Sequence, residues 1–397
     1  MSSKLERNEV EGPIIIGAGP SGLATAACLQ EKGVTEVVVL EREDCIASLW
    51  KLKTYSNLRL HLPKKFCELP HMVLPEELPA YPTKQQFITY LEDYAVRFNI
   101  MPKFKQEVQL ANYDAKTGLW RVQTNEFEFV SKWLIVAIGE NSEPVLPKIE
   151  GILDFQGRVL HTSSYRDGAQ FEGEKVLVVG CGNSGMEVGL DLCHSGAQVS
   201  MVIRDKLHII PREMFGRSTF GVSMWLLNWF PRNLVDWLLV LYSRFIFGDI
   251  RRFGIERPDV GPLELKSASG KTPVLDFGTV AKIKGGLIKV VPGIRKFTTN
   301  GSTFVDGSAR DFDSIILATG YTHNVPSWLK EEEFFSNKEG DSWKRNNRLY
   351  TVGFTKKGLL GVSMDARKVA EDIARQWNSG KALKQGLVTE VAEGNGI

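Results

Sequence analysis

The hydrophobic pattern of the chain contains one arrangement twice. A short apolar run, Ile14 to Ile16, is followed by a glycine-rich turn, a helical segment of small residues, and a second apolar run from Val37 to Leu40. The same order recurs later, with apolar runs at Val176 to Val179 and Gln198 to Ile203. Strand, glycine turn, helix and strand in this order are typical of a βαβ unit. The pattern therefore predicts an α/β protein with two Rossmann-like dinucleotide-binding domains.

Further elements are predicted between and after these units. Apolar residues at helical spacing predict a helix over Thr83 to Asn99, and alternation on both sides of a turn predicts a hairpin over Leu119 to Val130. Buried strands that end in glycine are predicted at Trp133 to Gly139 and at Ile315 to Gly320. The last predicted element is a helix at Gly361 to Trp377.

The order of the two units sets the expected domain organisation. We expect residues 1–145 to form the first part of one dinucleotide-binding domain. Residues 146–320 are expected to form a second such domain with an inserted helical segment at 218–250. Residues 321–397 would then return to the first domain as its C-terminal part and tail. One nucleotide domain inserted in another is a disulfide-reductase-like architecture.

Composition and charge exclude several classes of function. The 397 residues include 49 Lys and Arg against 47 Asp and Glu, which gives a net charge of +2. This charge lacks the excess of basic residues that is typical of nucleic-acid-binding proteins. The five cysteines lie at least 12 residues apart, which suits neither a disulfide framework nor a zinc site. The charged N-terminus, Met1 to Gly12, lacks the apolar core of a signal peptide. We therefore expect a cytoplasmic protein without a metal or a nucleic-acid partner.

One stretch, Val222 to Ile250, is rich in Trp, Leu and Phe. Polar residues and a proline interrupt it, so it contains no run of 18 or more apolar residues that could span a membrane. We expect it to form buried or cleft-lining helices. The alternative is contact with a membrane surface, such as a peripheral association with the endoplasmic reticulum.

Both glycine turns place glycine at the three positions that a dinucleotide-binding turn requires. The first turn reads Gly17-Ala18-Gly19-Pro20-Ser21-Gly22, and the second reads Gly180-Cys181-Gly182-Asn183-Ser184-Gly185. The three glycines allow a tight turn, close approach of the backbone to a pyrophosphate, and close packing of helix on strand. The pyrophosphate would then meet the N–H groups and the positive end of the following helix.

The residue that ends each second strand indicates which cofactor each turn binds. Glu41 lies 19 residues after Gly22, and Arg204 lies 19 residues after Gly185, which is the position that contacts the adenosine ribose. A carboxylate accepts hydrogen bonds from the ribose hydroxyls but repels a 2′-phosphate, so the first turn suits FAD or NAD. A guanidinium binds the 2′-phosphate, so the second turn suits NADPH. The alternative is that both are solvated charges at strand ends.

The spacing Phe155-x-Gly157-x-x-x-His161-x-x-x-Tyr165 resembles the signature of the class B flavin monooxygenases. Other segments narrow the resemblance to the plant YUCCA-type enzymes, over nearly the whole chain from Pro13 to Trp377. They are Leu58 to Leu69, Tyr81 to Lys84, Glu140-Asn141, Pro211 to Gly216, Ala318 to Tyr321 and Gly358 to Gly361. Ile138 departs from the family, which usually has threonine there, and its effect on local hydrogen bonding is open.

The resemblance implies the cofactors FAD and NADPH and an oxidative decarboxylation of indole-3-pyruvate to the auxin indole-3-acetate. The reaction would use O₂ through a C4a-(hydro)peroxyflavin, so the protein needs no nucleophile of its own. Polar candidates near the flavin or the substrate carboxylate are His61, Asn141, Lys64 and Arg212, and none is assigned as a catalyst. For the two cations a solvated surface position is an equal alternative. The oligomeric state is left open.

Three other functions compete with this assignment. Disulfide reductases share the two-turn architecture but need a close pair of redox-active cysteines, which this chain lacks. An N- or S-oxygenating flavin monooxygenase would act on a soft nucleophile instead of an aromatic 2-oxo acid. An inactive FAD- and NADP-binding sensor would keep both turns and lose turnover.

Overall fold

The computed structural model describes residues 5–330 and 343–394, with side chains described as far as Gly380. The chain divides into two compact units. The first unit comprises Met1–Leu52, Lys64–Glu143 and Thr322–Ile397, and the second comprises Lys53–Pro63 and Pro144–Tyr321.

The first unit contains a parallel four-stranded sheet. Its strands lie in the order Leu349–Thr351, Leu134–Val136, Ile14–Ile16, Val38–Leu40. The central strand is three consecutive isoleucines, each no more than 5% exposed, because a parallel strand is covered on both faces. The helix Pro20–Glu31 follows this strand and packs against the last helix, Gly358–Gly394.

A second sheet in the same unit is the predicted hairpin with two added strands. Leu119–Thr124 pairs antiparallel with Phe127–Ser131 and with Val108–Asp114, and Glu6–Glu9 pairs parallel with Phe127–Ser131. Inward-facing Trp120 and Val122 are fully buried, as the alternation requires. Both the hairpin and the helix predicted after Thr83 are confirmed.

That helix, Lys84–Arg97, begins with a capping box. The Thr83 hydroxyl accepts the N–H of Gln86, and the Gln86 side chain accepts the N–H of Thr83. The last helix is longer than predicted, since it begins at Gly358 and continues past Trp377 to Gly394. No proline follows Trp377 to end it.

The second unit contains a parallel five-stranded sheet. Its order is Ile288–Val291, Gln198–Val202, Lys175–Val179, Ser314–Leu317, Arg158–His161. The helix Asn183–His194 connects the strands at 175–179 and 198–202, which completes the second βαβ unit. A small antiparallel sheet adds Ile294–Thr298, Gly301–Phe304 and Ala309–Asp311.

The segment Lys53–Pro63 belongs to the second unit, although the sequence placed it in the first domain. The physical reason is a set of polar contacts with the helix Asn183–His194. The Tyr55 hydroxyl donates to Glu187 at 2.8 Å, and the Asn57 amide donates to Asp191 at 2.7 Å. Such pairings between distant parts of a chain leave no signal in local periodicity.

The apolar stretch after residue 218 forms the helices Thr219–Leu227 and Arg232–Phe247, followed by Pro262–Ser269. The inner face of the second helix is buried through Val235 and Leu239. Its outer face is exposed, with Trp237 58% and Phe245 83% accessible. The expectation of burial is therefore confirmed for the inner face and wrong for the outer face. Within the described residues, no helix is both long and apolar enough to cross a membrane.

Short elements complete the described part of the chain. The short helical ones are Ser48–Leu52, Lys64–Phe66, Gly168–Phe171, Arg251–Phe253, Thr279–Lys284, Val325–Trp328 and Asn346–Arg348. The short strands are Glu143–Pro144, Ile209–Pro211, Glu213–Met214, Arg217–Ser218, Val274–Asp276 and Tyr321–Thr322.

Candidate functional site

The first glycine of each turn is fixed by backbone conformation and by crowding. Gly17 and Gly180 have φ angles of 106° and 107°, in a region that L side chains rarely adopt. A Cβ on Gly17 would lie 2.8 Å from the carbonyl oxygen of Ala137, and one on Gly180 would lie 2.5 Å from that of Ala318. The two turns thus use glycine in the same way, each against the end of a neighbouring parallel strand.

The third glycine allows each helix to start against its own turn. A Cβ on Gly22 would lie 1.9 Å from the carbonyl oxygen of Gly17, and one on Gly185 would lie 2.2 Å from that of Gly180. Both contacts are with backbone atoms that a side chain cannot push aside. Any larger residue would therefore open the turn.

The second glycine has a different environment. A Cβ on Gly19 or on Gly182 would meet no protein atom within 4 Å. Protein packing therefore does not require glycine at these two positions. A Cβ there would instead cover the backbone at the start of each helix, which is where a pyrophosphate is expected to approach.

The N-termini of the two helices that follow the glycine turns are suited to bind an anion. Gly19 and Gly182 are the N-cap residues, neither start has a side-chain cap, and the first turns contain no acidic residue. The first N–H groups of a helix have no partner within the helix, and the helix dipole adds partial positive charge. Both turns therefore match the chemistry of a dinucleotide pyrophosphate.

Glu41 lies buried beside the first turn, 5% exposed. One carboxylate oxygen accepts the Ala18 N–H at 2.8 Å, and the other accepts the Glu43 N–H and the Ser48 hydroxyl at 3.1 Å each. Sequence reasoning identified Glu41 but missed these protein contacts. Because a carboxylate offers about four acceptor positions, three such bonds leave capacity for a ribose hydroxyl.

Arg204 lies just beyond the strand Gln198–Val202, and its side chain is 80% exposed. Its guanidinium pairs with the adjacent Asp205 at 3.1 Å, which raises the pKa of Arg204 and lowers the pKa of the Asp205 carboxyl. The ammonium of Lys271 lies 3.8 Å from the same carboxylate. Sequence reasoning missed both Asp205, which would compete with a phosphate for Arg204, and Lys271, which adds a second cation.

Other members of the two turns have structural contacts. Ser21 is buried, and its hydroxyl oxygen would lie 2.5 Å from a Cβ on Gly353. The Asn183 side-chain oxygen accepts the Leu275 N–H at 2.9 Å. Burial raises the pKa of the Cys181 thiol to about 12, so it stays protonated and is not a nucleophile at neutral pH.

The residues of the His161 motif are held by internal bonds. His161 is 6% exposed, with Nε2 3.1 Å from the Gly320 carbonyl oxygen and Nδ1 3.0 Å from the Ser163 hydroxyl. Burial lowers the pKa of His161, so the neutral ring is favoured. The Tyr165 hydroxyl donates to Asp191 at 2.5 Å. Both polar groups therefore have protein partners.

Two of the four polar candidates from the sequence analysis, His61 and Arg212, contact the same aromatic side chain. His61 and Arg212 both contact Phe277, with 5.7 Å between the ring centroids of His61 and Phe277 and 4.9 Å from the guanidinium to the phenyl centroid. His61 Nε2 also lies 2.6 Å from Glu187 Oε1, an ion-pair contact when the imidazole is protonated. Sequence reasoning did not identify Glu187 or Phe277.

The other two candidates lie in the first unit. Lys64 donates to three carbonyl oxygens, those of Pro75, Glu76 and Leu78, at 2.7 to 2.8 Å. An ammonium has three donors, so Lys64 closes this loop and has none left for a substrate carboxylate. Asn141 is exposed.

Ile138, the departure from threonine, is partly buried and packs against the core of the first unit. Its side chain therefore contributes apolar contact at the end of the strand Leu134–Val136.

The chain is similar to known proteins over nearly its whole length. Residues 14–213 match the pyridine nucleotide-disulphide oxidoreductase family. The chain is 57% identical over 389 residues to indole-3-pyruvate monooxygenase YUCCA6 of Arabidopsis thaliana, covering 95% of this chain and 93% of that protein. It is 53% identical to indole-3-pyruvate monooxygenase YUCCA4 of Oryza sativa, covering 93% and 88%.

A solved structure shows the same fold. The complex of OTEMO with FAD and NADP is 17% identical and has a TM-score of 0.75, covering 94% of this chain and 86% of that one. At this identity the likeness concerns the fold alone.

Proposed function

Since this chain belongs to the YUCCA family of indole-3-pyruvate monooxygenases, we propose that it is an NADPH- and O₂-dependent flavin monooxygenase acting on indole-3-pyruvate. The products would be indole-3-acetate, CO₂, NADP⁺ and water, with one oxygen atom of O₂ entering the new carboxylate. The observation that carries the proposal is 57% identity across nearly the full length of a curated indole-3-pyruvate monooxygenase.

The two nucleotide turns support a division of cofactors. We assign FAD to the first unit, through Gly17–Gly22 and Glu41, and NADPH to the second unit, through Gly180–Gly185 and Arg204. The support is the repeated geometry of the glycines and the opposite charges at the strand ends. FAD would occupy the open face at Gly19, and NADPH the open face at Gly182.

The chain's own part in the reaction is binding and positioning. The flavin, reduced by NADPH, supplies the chemistry of O₂ activation. Glu41 would orient the FAD ribose while fixing the backbone of Ala18. Arg204 would bind the 2′-phosphate of NADPH after turning away from Asp205, and Lys271 lies close enough to that carboxylate to keep it neutralised.

Arg212 is the stronger of the two cations proposed for the substrate carboxylate. Lys64 has all three donors committed to carbonyl oxygens. Arg212 is half-buried against Phe277. A guanidinium on an aromatic face is held in a fixed plane, and a planar group of this kind matches the shape of a carboxylate.

The activity is tested by product analysis. Purified protein is incubated with NADPH, ¹⁸O₂ and indole-3-pyruvate, and the acid product is analysed by mass spectrometry. Indole-3-acetate with one ¹⁸O in its carboxylate is expected, together with release of CO₂. Efficient N-hydroxylation of tryptamine would favour an N-oxygenating enzyme, and NADPH consumption that yields only peroxide would contradict productive oxygenation.

We also propose that the enzyme is cytoplasmic. A cytoplasmic enzyme would have its NADPH and its five cysteines in a reducing compartment, and all five cysteines are free thiols. Fractionation of cells that express the tagged chain tests this, since recovery only in a secreted fraction would contradict it.

A further inference from the structure

The helix Arg232–Phe247 is apolar on two faces. One face packs into the second unit through Val235, Leu239 and Phe247, each no more than 8% exposed. The other face presents Leu234, Trp237, Leu241 and Phe245, at positions i, i+3, i+7 and i+11 of the helix. These four side chains are 38% to 83% exposed. A helix with apolar residues on two opposite faces is normally covered on both of them.

Neighbouring side chains extend this surface. Phe215 is 83% exposed and contacts the ring of Tyr242 on the helix at 5.1 Å between centroids. The helix Thr219–Leu227, which packs against the same helix, adds further exposed residues. We call the whole set the apolar face: Phe215, Met224, Trp225, Trp229, Phe230, Leu234, Trp237, Leu241 and Phe245. Exposed apolar surface on this scale marks an interaction site.

A cavity lined by four basic and three acidic side chains adjoins the apolar face. It has a volume of about 700 Å³, and Val240 and Arg244 of the same helix line it together with Lys206, Arg251 and Arg257. Lys206 lies 3.6 Å from Asp259, and Arg251 lies 3.3 Å from Asp249, so those two charges are paired. Glu256, which is exposed, and His208 also line the cavity.

Arg257 differs from these paired cations. Its Nε and Nη2 atoms are buried, and neither has a hydrogen-bond partner among the described residues. Burial and the nearby charge of Arg244 lower the pKa of Arg257. Two buried guanidinium nitrogens without a hydrogen-bond partner are unfavourable, so an anion that enters the cavity would be bound by them. His208 adds no charge, since burial lowers its pKa and its Nε2 contacts the Val260 carbonyl oxygen.

Two partners could cover the apolar face, a second copy of this chain or a lipid surface, and the charges nearby favour the lipid surface. In a twofold dimer of this chain the same patch would meet itself, so the exposed arginines 232, 244 and 252 would be brought together. An anionic lipid surface would instead attract them. Three exposed tryptophans also suit the boundary between water and lipid, where Trp is enriched.

We propose that the apolar face docks this protein on a membrane surface that contains anionic phospholipid, with a lipid phosphate bound by Arg257 and Arg244 in the adjoining cavity. The docking is peripheral: the apolar side chains enter the headgroup region, and the helix lies in the plane of the membrane. It is independent of the proposed oxygenase activity, because none of these residues belongs to either nucleotide turn.

Vesicle binding tests the proposal with the full chain holding FAD. Co-sedimentation is measured with phosphatidylcholine vesicles and with vesicles that also contain phosphatidylserine. We expect binding to the second kind only. Trp237→Ser with Phe245→Ser should lower binding at least tenfold, and Arg257→Gln or Arg244→Gln should each lower it about fivefold, the effect of one charge at such a surface. Leu153→Ser, at an isolated 96% exposed leucine, is the matched control and should bind normally.

Other outcomes would overturn the proposal. If the wild type binds neither kind of vesicle, or the variants bind as well as the wild type, the apolar face does not dock on lipid. If inorganic phosphate binds in an Arg257-dependent manner while vesicles do not, the cavity is a site for a soluble anion. If light scattering shows a dimer that Trp237→Ser dissociates, a second copy covers the face. Unchanged thermal unfolding and FAD content of each variant exclude misfolding.

Discussion

The carboxylate of Glu41 accepts the backbone N–H of Ala18 at 2.8 Å, across 23 residues of sequence. This bond ties the end of the second strand to the turn that precedes the first helix. The residue expected to orient the ribose therefore also shapes the backbone expected to receive the pyrophosphate. Loss of the carboxylate should affect both.

Glu41→Gln should reduce FAD retention and destabilise the first unit. The amide replaces one acceptor oxygen by a donor, so at least one of the Ala18, Glu43 and Ser48 donors loses its partner. A buried donor left unsatisfied costs about 1–3 kcal/mol. Flavin absorbance per chain and urea unfolding measure the two effects. Glu36→Gln, at an exposed position, is the control, and equal behaviour of the two variants would contradict the role of Glu41.

Substitution of the glycines should separate folding from cofactor binding. Gly19→Ala meets no protein atom within 4 Å and has an ordinary φ of −81°, so the fold should keep its unfolding temperature while FAD affinity falls. Gly22→Ala places a Cβ 1.9 Å from the Gly17 carbonyl oxygen and should lower stability itself. Thermal unfolding of the apoproteins and flavin titration distinguish the two. Full flavin occupancy in Gly19→Ala would show that the first turn does not bind the pyrophosphate.

In the second turn, Gly182→Ala should weaken NADPH and leave FAD content unchanged. Its Cβ, like that of Gly19→Ala, would meet no protein atom within 4 Å. The KM for NADPH and the flavin content are the two measurements. Loss of FAD in this variant would reverse the cofactor assignment of the two turns.

Arg204→Ala should reduce the preference for NADPH over NADH by roughly 10-fold to 150-fold, since one charge-assisted hydrogen bond contributes about 1.5–3 kcal/mol. Asp205→Asn should act in the opposite direction, because it removes the carboxylate that pairs with Arg204 at 3.1 Å. The ratio of kcat/KM for the two coenzymes is the readout. An unchanged ratio in both variants would remove Arg204 and Asp205 from the 2′-phosphate site.

Stability should fall as the pH is lowered through the range where unfolded histidine gains its proton, near 6.5. Burial lowers the pKa of His161 and of His208 in the folded state, so the unfolded chain binds more protons. Stability that these residues contribute is complete above the unfolded pKa and is lost as the pH falls toward the folded one. Urea unfolding between pH 7.5 and 5.5 measures the slope. His161→Asn should show a shallower slope than the wild type, and an identical slope would exclude His161 as a cause.

The nucleotide turns were predictable because their requirements are local. Gly17, Gly22 and their counterparts are needed where backbone atoms a few residues away, or at the end of an adjacent strand, leave no space for a Cβ. The capping box at Thr83 and the hairpin after Leu119 are local in the same sense. Steric exclusion and hydrogen bonding at short separation depend on residue type and spacing, which the sequence contains.

The partners of polar and apolar side chains were decided only by the tertiary structure. The charge of Lys64 would allow it to bind a substrate carboxylate. In the folded protein its ammonium instead donates hydrogen bonds to the carbonyl oxygens of Pro75, Glu76 and Leu78. The segment 53–63 belongs to the second unit, where Tyr55 donates a hydrogen bond to Glu187, 132 residues away. Trp237 and Val235 are both apolar members of one helix, yet only Val235 is covered. The sequence determines that such groups are charged or apolar, whereas which atoms satisfy or cover them depends on the positions of distant segments, and these are set by the packing of the whole chain.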